Sequence, residues 1–197
     1  MTCTHLLYLH GFRSSPQSHK AQVMAAHVAR HHPQLHWACP ALPTSPAQAM
    51  AMLEALCVGW PRDHTVIMGS SLGGFYATVL AQRWGCRAVL LNPAVRPHLH
   101  GDVLVGEFPL WHDPQQRMQF TPEHLAELAT MEPLTLSQPQ RLLTLVARGD
   151  EVLDAAELEA YYAATRLHAF DGGDHALSDF ARWLPVIDGF LRAPEGA

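Results

Sequence analysis

Basic side chains are scarce in this chain. Lysine and arginine number 13 of 197 residues against 18 acidic ones, and the formal net charge is −5. A nucleic-acid partner needs a basic face, so this balance argues against one. Long apolar runs are missing too. No stretch approaches the ~18 residues of a membrane span. The first apolar run, Leu6 to Leu9, is too short for a signal-peptide core and has no basic flank or cleavage pattern. Cysteine is sparse: Cys3, Cys39, Cys57 and Cys86 lie far apart with no CxxC pair, which predicts four free thiols in a reducing compartment. These absences together predict a soluble, cytoplasmic protein. With 48% apolar residues the chain is rich enough to bury one core, and a single domain over residues 1–197 is expected.

Histidine is abundant, at 14 residues. No HExxH is present, His31 and His32 are adjacent and face different ways on a helix, and His98 and His100 lie in a proline-flanked loop. No spacing carries a metal-ligand mechanism, so neither a metal nor an organic cofactor is expected.

Short apolar runs of strand length occur at His5–Leu9, Leu35–Cys39, Thr65–Met68, Ala88–Leu91, Arg141–Ala147 and Arg166–Phe170. Helical patterns separate most of them. Ser15-Pro16 and Ser45-Pro46 each read as a cap followed by proline at the first helical position. These two helices should run toward His31 and to about Cys57. A third should run from Ser71 to Trp84-Gly85. Asp154, with Glu157 three residues on, reads as the cap of a fourth. A last helix should run from about Ser178 to Leu191, kinked at Pro185. Alternating strands and helices predict an α/β fold: a three-layer sandwich around a mostly parallel sheet of about six strands. Between Pro93 and Pro139 the alternation stops. That stretch shows prolines and bulky apolar residues but no strand pattern, and one helix is expected after Thr121-Pro122. A lid-like insertion over residues 95–138 is one reading, and a packed excursion over a sheet edge is the other.

The stretch Gly69-Ser70-Ser71-Leu72-Gly73 fits G-x-S-x-G, with a strand before it and a helix after it. In such an elbow the middle serine, Ser71, sits strained at the tip of the turn. Side chains at positions 69 and 73 would collide with each other and with the next strand. The bland alternative is a Gly-Ser loop that closes a strand–helix unit or cradles a phosphate. An acid can follow the strand that ends at Ala147, in "ARGDEVLD". Asp150 and Asp154 both qualify by position, and Glu151 is a rival. Asp154 already has work as a helix cap, which favours Asp150. A base can follow the strand that ends at Phe170, in "DGGDHALSDF", where His175 lies in a glycine-rich loop. The order Ser, Asp, His is that of α/β-hydrolase triads. The N–H groups of Phe12, after the first strand, and of Leu72, after the serine, are the expected oxyanion donors.

The set "YLHGFRSSPQSHKA", "VIMGSSLGGFYAT", "LLNPAVRP", "RGDEVLD" and "GGDHAL" resembles the YqiA/YcfP-type esterases, a family of small bacterial α/β-hydrolases. The resemblance runs from Leu7 to the last helix and is poorest at about Leu104 to Met131. It implies a compact α/β-hydrolase without the first strands of larger members. It also implies hydrolysis of carboxylic esters or thioesters, with nucleophile, acid and base on Ser71, Asp150 and His175.

The expected activity is therefore that of a serine esterase acting on small to medium acyl chains through an acyl-enzyme. The apolar residues of the insertion point to an apolar acyl pocket. Gly11, Arg13, Phe108 and Trp111 are the expected substrate contacts, although Arg13 reads equally well as a solvated loop residue. A thioesterase working on acyl-CoA or an acylated carrier is the rival reading. A hydrolase-like module that only binds its ligand is a third. The expected partner is a small-molecule ester or thioester; oligomeric state is not legible.

Overall fold

The computed structural model describes residues 3–132 and 135–193. Residues 1–2 and 194–197 of the expected domain, and 133–134 of the expected insertion, lie outside the described residues.

Six parallel strands form the central sheet. They are β1 (His5–Leu9), β2 (His36–Ala38), β3 (Thr65–Ser70), β4 (Arg87–Leu91), β7 (Leu142–Ala147) and β8 (Arg166–Phe170). Their order is β2-β1-β3-β4-β7-β8. Every residue of β3, β4 and β7 is buried. Central strands of a parallel sheet are covered on both faces, which is why they read as continuous apolar runs. The fold is thus the expected mostly parallel α/β sandwich.

Helices α1 (His19–His31) and α7 (Leu184–Arg192) cover one face, packing Met24, Val28, Ile187 and Phe190 on Tyr8, Met68 and Leu145. Helices α2 (Pro46–Leu56), α3 (Leu72–Trp84) and α6 (Ala155–Tyr161) cover the other. The caps explain the starts. Ser45 accepts from the Gln48 N–H at 3.2 Å with Pro46 in the first turn, and Asp154 accepts from the Ala156 N–H at 2.9 Å. Gly85 ends α3 in the left-handed conformation, φ 66°.

Three expectations are corrected. The first helix does not open at Ser15-Pro16. The Ser15 hydroxyl instead accepts from the Gln17 N–H at 3.2 Å and its carbonyl from the Ser18 N–H at 3.0 Å, closing a turn, so the helix starts at His19. The last helix is not kinked in its interior. A separate 3-10 turn over Phe180–Trp183 precedes α7, and Pro185 sits in the first turn of α7, where no N–H is needed.

The third correction concerns the insertion, which does hold strands. After the short α4 (Gly101–Leu104) comes an antiparallel hairpin of β5 (Gly106–Pro109) and β6 (Arg117–Phe120), followed by α5 (Pro122–Met131), capped by Thr121 as expected. Each strand has four residues, too few for periodicity to reveal. Packing sustains them: Phe108 and Phe120 both stand edge-on to Phe12, at 5.3 and 5.5 Å between ring centroids.

Among the described residues, no helix is long and apolar enough to cross a membrane.

Candidate active site

The elements converge at one rim. The loops that leave the carboxyl ends of β1, β3, β4, β7 and β8 carry Gly11–Phe12, Ser71, Asn92, Asp150 and His175 respectively. Open parallel sheets bind ligands at this rim.

Ser71 sits between β3 and α3 at φ 56°, ψ −123°, a backbone state costly for a residue with a side chain. The surrounding glycines make the turn feasible. A Cβ at Gly69 would overlap the backbone of Gly73, and one at Gly73 would overlap the carbonyls of Leu9 and His10 at the end of β1. These are the two collisions the motif predicts. The elbow is held by the Ser71 N–H donating to Leu91 at 3.0 Å and by its carbonyl accepting from Gly74 and Ala94 at 2.8 and 3.0 Å. Ser70 is buried beside it.

His175 stands between Ser71 and Asp150. Its Nε2 lies 3.1 Å from Ser71 Oγ, and its Nδ1 lies 2.8 Å from Asp150 Oδ2. The carboxylate accepts the hydrogen bond from the Nδ1–H, which fixes the tautomer and leaves Nε2 free to accept one from the Ser71 hydroxyl. The Asp150 side chain is fully buried, and its other oxygen accepts from the N–H groups of Val152 and Leu153, both at 2.8 Å. Burial acts to raise its pKa. The hydrogen bonds from His175 and from the two N–H groups outweigh this and hold the carboxyl below its ordinary range. The two rivals for the acid have other tasks: Asp154 caps α6, and Glu151 accepts the backbone N–H of His175 at 3.0 Å.

The Phe12 and Leu72 N–H groups have no hydrogen-bond acceptor among the described residues. Gly11 lets their loops approach: a Cβ there would stand 3.2 Å from both the Ser70 carbonyl and the Ser71 Cβ. His10 shapes this loop from behind. Its Nδ1 donates to the Gly11 carbonyl at 3.1 Å and its Nε2 accepts from the Leu42 N–H at 3.1 Å. Burial pushes its pKa down, so the ring stays neutral.

A cavity of about 570 Å³ opens onto Ser71 and His175, and Gly11, Arg13, Phe108 and Trp111 all line it. Its walls are largely apolar, with Phe12, Val95 and Leu104 among them, and Val103, Trp111 and Val152 form an exposed apolar rim. Arg13 is not a solvated loop residue. Its Nε donates to the Pro109 carbonyl at 2.9 Å, and its guanidinium lies 3.9 Å from the Trp111 ring centroid and 5.3 Å from that of Phe108. The Trp111 N–H returns a bond to the Arg13 carbonyl at 3.0 Å. Arg13 therefore clasps the hairpin of the insertion to the β1 loop. Within the insertion, Phe120, Leu128 and Met131 pack in the core, while Phe108 and Trp111 line the cavity.

Two residues escaped the sequence reading. Asn92, fully buried at φ 39°, follows β4. Its Oδ1 accepts from the Ala147 N–H at 2.8 Å, and its Nδ2 donates to the carbonyls of Asp174 and His175 at 3.1 and 3.4 Å. It thus ties the acid-bearing strand to the histidine loop. The only sign of it was an Asn before Pro at a strand end, a residue type that tolerates positive φ. Lys20, the sole lysine of the chain, donates from α1 to the Ala176 carbonyl at 2.5 Å and lines the same cavity. Nothing in its local sequence signals this.

Comparison with known proteins agrees with the fold. The structure of Est1E from Butyrivibrio proteoclasticus with ferulic acid bound superposes with a TM-score of 0.72 at 11% identity, covering 96% of this chain and 88% of that one. Mouse alpha/beta hydrolase domain-containing protein 10 gives 0.69 at 13% identity, covering 97% and 91%. The esterase domain of a Rhodothermus marinus protein gives 0.66 at 16% identity, covering 95% and 85%. At such identities these likenesses establish a shared fold. A family model described as "Uncharacterised protein family (UPF0227)" matches residues 5–192, nearly the whole chain. The chain therefore belongs to the UPF0227 family, the YqiA/YcfP-type group that its motifs resemble.

Proposed function

We propose that this protein is a serine esterase that hydrolyses small to medium acyl carboxylic esters. One observation carries the reading: an unbroken hydrogen-bond path from Ser71 Oγ through the His175 ring to buried Asp150, with steps of 3.1 and 2.8 Å. Nucleophile, base and acid then take the roles of a Ser-His-Asp triad. The named activities of the neighbours, an esterase domain and an Est1E that holds ferulic acid, agree with this assignment.

The mechanism follows from the geometry. His175 Nε2 takes the hydroxyl proton as Ser71 Oγ attacks the ester carbonyl. Asp150 stabilises the imidazolium and keeps the ring oriented. The carbonyl oxygen gains negative charge and is met by the two unengaged N–H groups of Phe12 and Leu72. Each such donor is worth about 3–4 kcal/mol of transition-state stabilisation. His175 passes its proton to the departing alcohol, leaving an acyl-Ser71 intermediate. Water, deprotonated by the same Nε2, releases the acid and restores the serine. The acyl group occupies the apolar cavity beneath Phe108 and Leu104, and residues 95–138 serve as its lid.

The test is p-nitrophenyl butyrate hydrolysis by Ser71→Ala, paired with a fluorophosphonate probe on the wild type. Nearly complete loss of turnover and labelling confined to Ser71 are expected. Activity that survives the substitution at the wild-type rate defeats the assignment. Folded wild-type protein that resists the probe points instead to a module that binds without turnover.

A further inference from the structure

We propose that His27, His32 and Asp188 form a zinc site that staples α1 to α7, separate from the active site. His27 lies in the last part of α1, and His32 is its C-terminal cap, turned back at φ −137°, ψ 55°. Asp188 projects from α7, 161 residues from His27 and 156 from His32. Both Nε2 atoms converge on one carboxylate oxygen, Asp188 Oδ1, at 2.9 and 2.7 Å. The three side chains are 11%, 15% and 18% exposed, so they are shielded but within reach of an ion from solvent.

The donor chemistry selects the ion. Two imidazole nitrogens and one carboxylate oxygen suit zinc, which accepts three protein ligands and completes its tetrahedron with water. Ligand atoms about 2.0–2.2 Å from a tetrahedral zinc stand roughly 3.3–3.5 Å apart. The present separations of 2.9 and 2.7 Å must therefore open by roughly half an ångström each, within the range of a side-chain rotation. An ion takes the Nε2 lone pair of each ring, so in the bound state any ring proton sits on Nδ1. The C-terminal end of α1 carries the negative end of the helix dipole, which favours a cation there. Arg192 Nη2 stands 3.6 Å from the other carboxylate oxygen, Oδ2, and leaves Oδ1 to the imidazoles. Exposed His31 stacks on His27 at 4.6 Å between centroids and supplies no atom to the set.

The experiment is calorimetric titration of chelator-stripped full-length protein with ZnCl₂, paired with thermal unfolding in the same buffer. One ion per chain and a zinc-dependent rise in Tm are expected, because an ion held only by the folded state stabilises it. His32→Ala and Asp188→Asn should each weaken binding by about tenfold or more and erase the Tm rise, while His31→Ala binds as the wild type does. Cobalt uptake gives an independent readout: tetrahedral d–d bands appear in the wild type and are lost in His27→Gln. That arm decides the matter if Asp188→Asn does not fold. Absence of 1:1 uptake at zinc concentrations on the order of 100 µM overturns the site, since an ion so weakly held shifts no equilibrium at physiological levels. Undiminished binding by His32→Ala and Asp188→Asn overturns it equally, because the ion then sits on other histidines.

Discussion

The side-chain amide of Asn92 donates to the main-chain carbonyl of His175 at 3.4 Å, and to that of Asp174 at 3.1 Å. The same amide group accepts from Ala147, three residues before Asp150, at 2.8 Å. One buried side chain thus spans the two loops that deliver the proposed base and acid. It also sits beside the elbow, since β4 ends at the Leu91 carbonyl that holds the Ser71 N–H.

Asn92→Ala should lower both activity and stability. It strands the Ala147 N–H and frees the histidine loop, and each unsatisfied buried group costs about 1–3 kcal/mol. A cost of that size at the reacting geometry is about tenfold in rate per 1.4 kcal/mol. Steady-state kinetics with p-nitrophenyl butyrate and a thermal midpoint check this. Wild-type kcat together with a lowered midpoint would reduce Asn92 to a purely structural part.

Asp150→Asn should keep the fold and lose most of kcat, by about 10⁴ as in other triads whose acid is amidated. It should also change the acid limb of stability. The folded-state carboxyl titrates below its ordinary value, so Asp150 contributes stability that is present above the unfolded pKa, about 3.9, and lost as pH falls through the folded value. Urea unfolding of both proteins across that range should give a wild-type advantage that shrinks in acid. An advantage that stays constant as the pH drops contradicts the linkage.

Lys20 should leave a signature at alkaline pH. Burial pushes its ammonium down to about 8, although Asp174 and Asp150 act to raise it. An unfolded lysine titrates near about 10.4, so between these values the unfolded chain binds more protons and this group's contribution to stability rises with pH. Wild type minus Lys20→Met, which cancels the tyrosines and cysteines that titrate in the same window, should therefore climb from pH 8 upward. A flat difference would mean that the ammonium is not buried in solution.

Arg13→Ala should raise KM more than it lowers kcat. The guanidinium touches the insertion at Pro109, Phe108 and Trp111, and no bond joins it to Ser71, His175 or Asp150. Cation–π contacts of this kind are worth about 0.5–2 kcal/mol, enough to loosen the cavity wall severalfold in affinity without disturbing the triad. A fall confined to kcat would reassign Arg13 to the chemistry. Chain-length series of p-nitrophenyl esters on both proteins give the comparison.

What was legible in the primary structure was local or ordinal. The elbow could be read at Gly69, Ser71 and Gly73 because its signature occupies five consecutive residues, although the strand that excludes a side chain at Gly73 is β1, far away in the chain. The caps at Ser45, Thr121 and Asp154 could be read because their signatures are equally local. Asp150 and His175 were found by chain order, since an acid and a base that follow the last strands of a parallel sheet must emerge at its carboxyl rim. Where a cap-and-proline signal had two local uses, as at Ser15-Pro16, which closes a turn instead of opening a helix, the pattern alone did not decide between them. The β5–β6 hairpin exists because Phe108 and Phe120 find Phe12, a residue about a hundred positions earlier. Lys20 and the His27–His32–Asp188 cluster carry no signal in sequence, and Asn92 only that of an Asn before Pro at a strand end, for a common reason. Their partners are backbone carbonyls or side chains on elements far away in the chain, and only the closing of the sheet and its helices brings them within a hydrogen bond.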